Sequence, residues 1–349
     1  MLFKNTIHSK LLSSAIIFSL PFLPLTGFFE KIRLNRDSSK SSKLFPKKFS
    51  SPHLISPGTD IGMWVWQRQY VVDSWECILM LDFCRLHGIK KIFTQVHFDK
   101  TEQGEYVLAD REAWNSLLSK ANALNVRVEA LDGAGNMAFA INHEDTIARL
   151  KAVLDFNLSQ TASARFSGFH YDIEPYTTSR WIAGEHKEIA VELLELLTKL
   201  RRVISEADPH LSFSNDIPFW YDSDEKFLIE FNGSKKYLNE HIQDTSDFIG
   251  IMSYRTEMTG ENSTSEICSG ELAYGAKIGR PVYLSLETVD LPETPQITFF
   301  GKSPVEVASA VRELSAALEN SRSFGGVYLH EYNTLRLIGD KWNLSEINF

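Results

Sequence analysis

From Ile61 onward, short runs of apolar and β-branched residues alternate with longer segments in which apolar positions recur every three or four residues. The short runs are Ile61–Trp66, Lys91–Val96, Val126–Leu131, Ser167–Asp172, Leu211–Asn215, Phe248–Ser253, Val282–Leu286 and Gly326–Leu329. Between them, helical spacing covers 73–87, 111–124, 143–159, 186–206, 234–242, 264–277 and 303–320, with a last short helix near 334–343. Some ends are marked: Ser303, Pro304 and Glu306 form an N-cap with proline at the first helical position, and Gly88 closes the helix before it. Eight strands in strict alternation with helices predict a single closed (β/α)8 barrel of the α/β class. An open, doubly wound sheet is the rival. Its dinucleotide fingerprint is missing, because Gly133-Ala134-Gly135 lacks the third glycine, and no phosphate-binding loop of the Walker type is present.

The pattern before residue 59 is different. Lys4, His8 and Lys10 precede an apolar stretch from Leu11 to Phe29, broken by Pro21 and Pro24. A basic start followed by such a stretch reads as an export signal or membrane anchor over residues 1–34. Residues 35–58 read as a Ser/Lys-rich linker and 59–349 as the barrel. The expected localisation is therefore exported, whether secreted, periplasmic or tethered to a membrane, with organellar targeting as the alternative. Composition adds little: 43% of the 349 residues are hydrophobic and 23% charged, with a net charge of −9. With no basic cluster beyond the N-terminus, a nucleic-acid partner is not expected. Cys77, Cys84 and Cys268 read as buried thiols, with neither a disulfide framework nor a zinc spacing.

Barrels of this class carry their chemistry at the C-terminal ends of the strands. Those ends supply Trp64 and Trp66, then His97, then Asp132, then His170, Asp172 and Glu174. The later ones supply Asn215, Asp216 and Trp220, then Tyr254 and Arg255, then Glu287, and last His330. Aromatic faces beside carboxylates suit pyranose rings, whose C–H faces stack on indole while their hydroxyls take hydrogen bonds. Within Phe166–Tyr176, strand alternation places His170, Asp172 and Glu174 on one face, pointing into the barrel. Carboxyls so close repel each other's charge, so one keeps its proton and becomes a candidate general acid.

This segment resembles the fourth-strand signature D-G-x-D-x-D-x-E of the chitinase-like family 18 glycoside hydrolases, with Gly168, Asp172 and Glu174 in register. Met252-Ser253-Tyr254 is similar to that family's M-x-Y, and Gly325-Gly326-Val327 to its last strand. The resemblance implies Glu174 as proton donor, Asp172 orienting the substrate's N-acetyl group for attack on the anomeric carbon, and Tyr254 steadying that group. Ser167 and His170 stand where the family has aspartates, His330 where it has a tryptophan, and Arg255 where it has Asp or Asn. A second likeness, of Ile173-Glu174-Pro175 and Glu287 to clan A glycosidases, implies two glutamates as acid/base and nucleophile, about 5–5.5 Å apart in retaining enzymes.

The expected function is hydrolysis of a glycosidic bond in a polysaccharide or oligosaccharide. Catalytic candidates are Glu174, Asp172, Tyr254 and Glu287. Trp64, Trp66 and Trp220 are sugar platforms, and His97, Asp132, His170, Asn215, Arg255 and His330 are further substrate contacts. No organic cofactor or metal is implied. A non-catalytic carbohydrate-binding barrel and a metal-dependent hydrolase using His97, Asp99, Asp132, His170 and Asp172 are the alternatives.

Overall fold

A computed structural model of the protein describes residues 59–340. Eight parallel strands close into a barrel: β1 (Asp60–Val65), β2 (Lys91–Gln95), β3 (Arg127–Asp132), β4 (Gly168–Tyr171), β5 (Ser212–Pro218), β6 (Phe248–Met252), β7 (Val282–Glu287) and β8 (Phe324–His330). Each pairs with its sequence neighbours, and β8 closes on β1 through Asp60↔Gly326 to Met63↔Leu329. The principal helices are α1 (Ser74–His87), α2 (Arg111–Ala123), α3 (His143–Ser159), α4 (His186–Ala207), α5 (Leu238–Thr245), α6 (Ser269–Ile278), α7 (Pro304–Ala317) and α8 (Tyr332–Asp340). The predicted (β/α)8 barrel is therefore the fold.

Local chemistry sets the ends of these elements. Asp73 accepts from the amides of Trp75 (2.8 Å) and Glu76 (3.2 Å), capping α1, and Gly88 ends it in the left-handed region at φ 66°. Ser303 and Glu306 make the reciprocal capping box at the start of α7. Two hairpins depart from the sequence reading. One, Phe98–Lys100 with Tyr106–Leu108, follows β2. The other, Leu228–Phe231 with Ser234–Tyr237, occupies residues that the helical spacing assigned from 234 onward, so α5 begins only at Leu238. Its turn is Asn232-Gly233, both at positive φ, the pairing that a two-residue hairpin turn needs. The helix predicted over 264–277 divides into Thr264–Ile267 and Ser269–Ile278.

Alternation along the strands separates two cores. Trp64, Phe93, Leu131, Phe248, Tyr283 and Tyr328 fill the lumen, while a larger apolar layer lies between strands and helices. The lumen also holds charge. Lys91 and Glu129, 2% and 1% exposed, pair at 3.7 Å, and the Lys91 ammonium sits 3.5 Å from the centre of the Phe248 ring. Among the described residues the three cysteines are free and buried, and no helix is long and apolar enough to cross a membrane. The leader and linker, residues 1–58, lie outside the described residues.

Candidate active site

The last residues of β4 and the loop beyond it form the centre of the mouth. His170 points into the lumen, Tyr171 outward toward the helices, and Asp172 inward again, as period-two alternation requires. Glu174 begins a short 3-10 turn, Pro175–Thr177, and its carbonyl is held by the Thr177 amide (3.1 Å) and hydroxyl (2.8 Å). The loop after β3 presses against this segment. A Cβ on Gly133 would lie 2.0 Å from the Asp172 carbonyl oxygen, and one on Gly135 2.6 Å from that of Glu174. The Gly133-Ala134-Gly135 sequence thus gives backbone clearance beneath the acidic pair.

Asp172 and Glu174 are partly exposed at this mouth, and neither is held by an arginine among the described contacts. Arg180 pairs instead with Glu185 and Glu192, while Arg255 donates to the Tyr254 and Asn262 carbonyls. The Tyr176 hydroxyl donates to Glu174 Oε1. Burial pushes the Glu174 carboxyl up to about 7; the Tyr176 bond opposes this, Asp216 adds to it, and His330 works against it. Burial, with Glu174 and Asp216 as like-charged neighbours, drives Asp172 well above the ordinary aspartate range, and its Oδ1 is buried without a hydrogen-bond partner among the described residues. Both carboxyls therefore hold their protons to higher pH than ordinary carboxylates do.

Two residues to which the sequence assigned no catalytic or binding role belong here. Asp216, on β5, accepts from the Trp64 indole (2.9 Å) and faces His170 Nε2 (2.7 Å). Room for it comes from Gly250, where a Cβ would stand 2.3 Å from Asp216 Oδ1. Tyr176 is the other, locked edge-on against Trp220 at 5.1 Å. Asp216 sits two residues beyond lumen-facing Ser214 on β5, so in-phase counting could have found it, whereas Tyr176 lies in the 3-10 turn, where strand phase gives no signal.

On the opposite rim, Glu287 accepts from the amides of Thr288 (2.7 Å) and Val289 (2.8 Å) and from His330 Nδ1 (3.0 Å), and is 3% exposed. Burial opposes the His330 cation, but Glu287 more than offsets it, raising the ring to about 9. The Trp66 indole, however, donates to Nε2 at 2.9 Å, which requires a lone pair there. While that bond is made, the ring is the neutral Nδ1–H form. Tyr254 lies between the two rims, its hydroxyl raised by burial and then by Glu287, Asp216, Asp172 and Glu174.

Several expected contacts are corrected by side-chain direction. Trp64 is 1% exposed and has no free ring face for a sugar; it holds Asp216. Trp220 is 4% exposed, packed against Tyr221 and Phe227. Asp132 turns to the helix layer, where Arg149 of α3 bonds it at 2.5 Å, and burial raises it to about 6. Asn215 turns the same way and donates to Ser246 (2.9 Å). His97 stands beside Arg68, Asp110 and Arg149, and Arg255 braces its own loop over the Phe219 ring. Trp66 and His330 keep partial exposure at the mouth. The proposed metal ligands are likewise divided between lumen and helix layer, and no group of three such side chains among the described residues is arranged around one point.

The chain matches no protein-family model and no curated protein in sequence. Solved structures do resemble it. A GH18 chitinase from Pseudoalteromonas aurantia superposes with a TM-score of 0.50 at 12% identity, over 81% of this chain and 99% of that one. The spore cortex-lytic enzyme SleL of Bacillus megaterium gives 0.50 at 11% identity, over 81% and 73%. An endo-1,4-beta-mannanase from Eisenia fetida gives 0.50 at 13%, over 79% and 85%. The shared feature is the fold. These three enzymes share the barrel with this chain at 11–13% identity.

Proposed function

We propose that the barrel hydrolyses glycosidic bonds in a glycan containing N-acetylhexosamine, with Glu174 as general acid and then general base. The observation that carries this reading is the Glu174 carboxyl: partly exposed, free of arginine, held by Tyr176, and raised to about 7. A group so placed has a proton to give to the glycosidic oxygen near neutral pH, and as a carboxylate it can then activate water.

The chain's nucleophile candidate, Glu287, is poorly suited to attack. Both amides donate to Oε1, His330 Nδ1 stands 3.0 Å from either oxygen, and the group is 3% exposed, so it is a donor-held, enclosed carboxylate and a weakened nucleophile. The substrate's own N-acetyl oxygen is then the better nucleophile. In this reading Asp172 holds that group together with Tyr254, and the partly exposed Trp66 and His330 supply ring surface for the sugar. This follows the family 18 likeness in the β4 segment and the chitinase and cortex-lytic enzymes among the structural neighbours. Export and a membrane tether remain part of the same proposal, resting on the sequence of the leader alone.

The test is release of reducing sugar from β-linked N-acetylglucosamine oligomers, peptidoglycan and mannan, by the wild type and by Glu174→Gln. Hydrolysis of an N-acetylated glycan that the substitution abolishes supports the proposal. Equal release by both proteins contradicts it, and unimpaired binding without hydrolysis by either would assign the barrel to carbohydrate binding.

A further inference from the structure

A buried line of polar side chains runs down the lumen from the mouth. His170 is 0% exposed and stacked on Phe93, with ring centres 3.8 Å apart. Its Nε2 faces Asp216 Oδ2 at 2.7 Å and its Nδ1 faces the Ser214 hydroxyl at 2.7 Å. Ser214 has one hydrogen to give, and its acceptors away from His170 are Glu129 Oε2 at 3.0 Å and the Phe169 carbonyl at 3.3 Å; the other Glu129 oxygen lies 3.7 Å from the Lys91 ammonium. With that hydrogen directed to Glu129, the shorter of the two contacts, the Ser214 oxygen accepts from His170 and Nδ1 bears hydrogen. Asp216 Oδ2 already accepts from Trp64. Without a further proton, the Nε2 lone pair would meet a carboxylate oxygen at 2.7 Å in a dry core, a repulsion that nothing there relieves. One proton must lie between them.

We propose that His170 and Asp216 form a proton-holding pair that compensates the charge appearing on Glu174 during turnover. While Glu174 carries its proton, the pair is imidazolium and carboxylate. When Glu174 protonates the leaving oxygen and becomes negative, the pair's proton shifts from Nε2 to Oδ2, and Asp216 becomes neutral beside the new carboxylate. Once Glu174 has taken a proton from the attacking water, the shift reverses, and no proton is gained or lost by the pair. The imidazole thus stands where the related signature has an acid, and reaches outward to β5 for its partner. The titratable groups around Asp216 are His170, Asp172 and Glu174 from the β4 segment, Tyr254 after β6, and Tyr328 and His330 from β8. Both members are positioning residues, because they act through Glu174.

The consequence for turnover rests on the proposed hydrolase reading, but the protonation does not, and the two are tested apart. In protein carrying ¹³C-labelled glutamate side chains, the Glu174 carboxyl is assigned by its loss in Glu174→Gln and titrated directly. His170→Gln keeps a donor toward Asp216 but fixes it as an uncompensated carboxylate, so the Glu174 midpoint should rise by about one pH unit. Asp216→Asn removes a carboxylate whose charge raises Glu174, and the midpoint should fall. The ¹⁵N shifts of His170 in the wild type should show Nδ1 protonated, which decides the matter even if a variant fails to fold. In a hydrolysis assay, His170→Gln should lower kcat about tenfold or more with KM little changed. Midpoints that stay put or move in one direction together, or an unprotonated Nδ1, would overturn the pair. Absence of sugar release by the wild type would instead remove the hydrolase reading and leave the titration to stand.

Discussion

The two rims of the mouth hold carboxylates of opposite condition. On the β7–β8 rim, Glu287 is given three donors and is closed off from solvent. On the β4–β5 rim, Asp172 has a buried oxygen with no partner among the described residues, and Glu174 has a tyrosine hydroxyl and two acidic neighbours. Hydrogen-bond donors and cations stabilise a carboxylate as an anion, whereas burial and like charge hold a proton on it. One rim surrounds its carboxyl with donors, and the other is built to keep a proton. Sequence position alone, at the end of a strand, does not separate these roles.

The largest effect that sharpens this contrast is on catalysis. Glu174→Gln should reduce kcat/KM on a cleaved glycan by about a thousandfold, whereas Glu287→Gln should reduce it about tenfold and lower unfolding stability by about 2 kcal/mol. Steady-state kinetics and urea titration measure both. A loss with Glu287→Gln as deep as with Glu174→Gln would dissolve the contrast in favour of two catalytic glutamates.

The tryptophans give a second comparison. Trp220→Ala should destabilise the fold by about 3–5 kcal/mol, since the side chain is enclosed among Tyr176, Tyr221 and Phe227. Trp66→Ala should change stability by less than about 1 kcal/mol and raise KM about tenfold. Equal stability losses would mean that Trp66 is core as well.

A smaller effect needs no substrate. Glu174 has a folded-state midpoint above its unfolded one, so its contribution to stability is full below about 4.5 and is lost as pH rises, being gone by about 7. Glu174→Gln removes that loss. The variant should match the wild type near pH 4 and exceed it by about 1–2 kcal/mol above pH 7, discounted for partial exposure. Identical stability profiles would show that the carboxyl is not held protonated.

The barrel was legible because alternation of strand and helix is a repeated, long-range pattern, and each repeat adds to the same conclusion. The lumen face of β4 was legible for the same reason, since His170 and Asp172 alternate with the buried Tyr171. Where only a strand end was read, the face could slip by one residue. Asn215 stood in for Asp216, and Asp132 was turned inward although Glu129 and Leu131 are the lumen positions of β3. Aromatic residues carried the least information: indole suits a sugar platform and a core equally, and what buried Trp64 and Trp220 was their tertiary neighbours. The Asn232-Gly233 turn was readable in principle, and the helical spacing of the following residues masked it.

The most direct test is the pH dependence of kcat/KM for an N-acetylglucosamine oligomer, measured from pH 5 to 9 for the wild type and for Glu174→Gln. With Glu174 as the general acid, the wild-type rate should fall as pH rises through about 7, as its proton is lost, and the residual rate of the variant should lack that step. A wild-type profile with no descending limb near 7, or the same limb in both proteins, would contradict it.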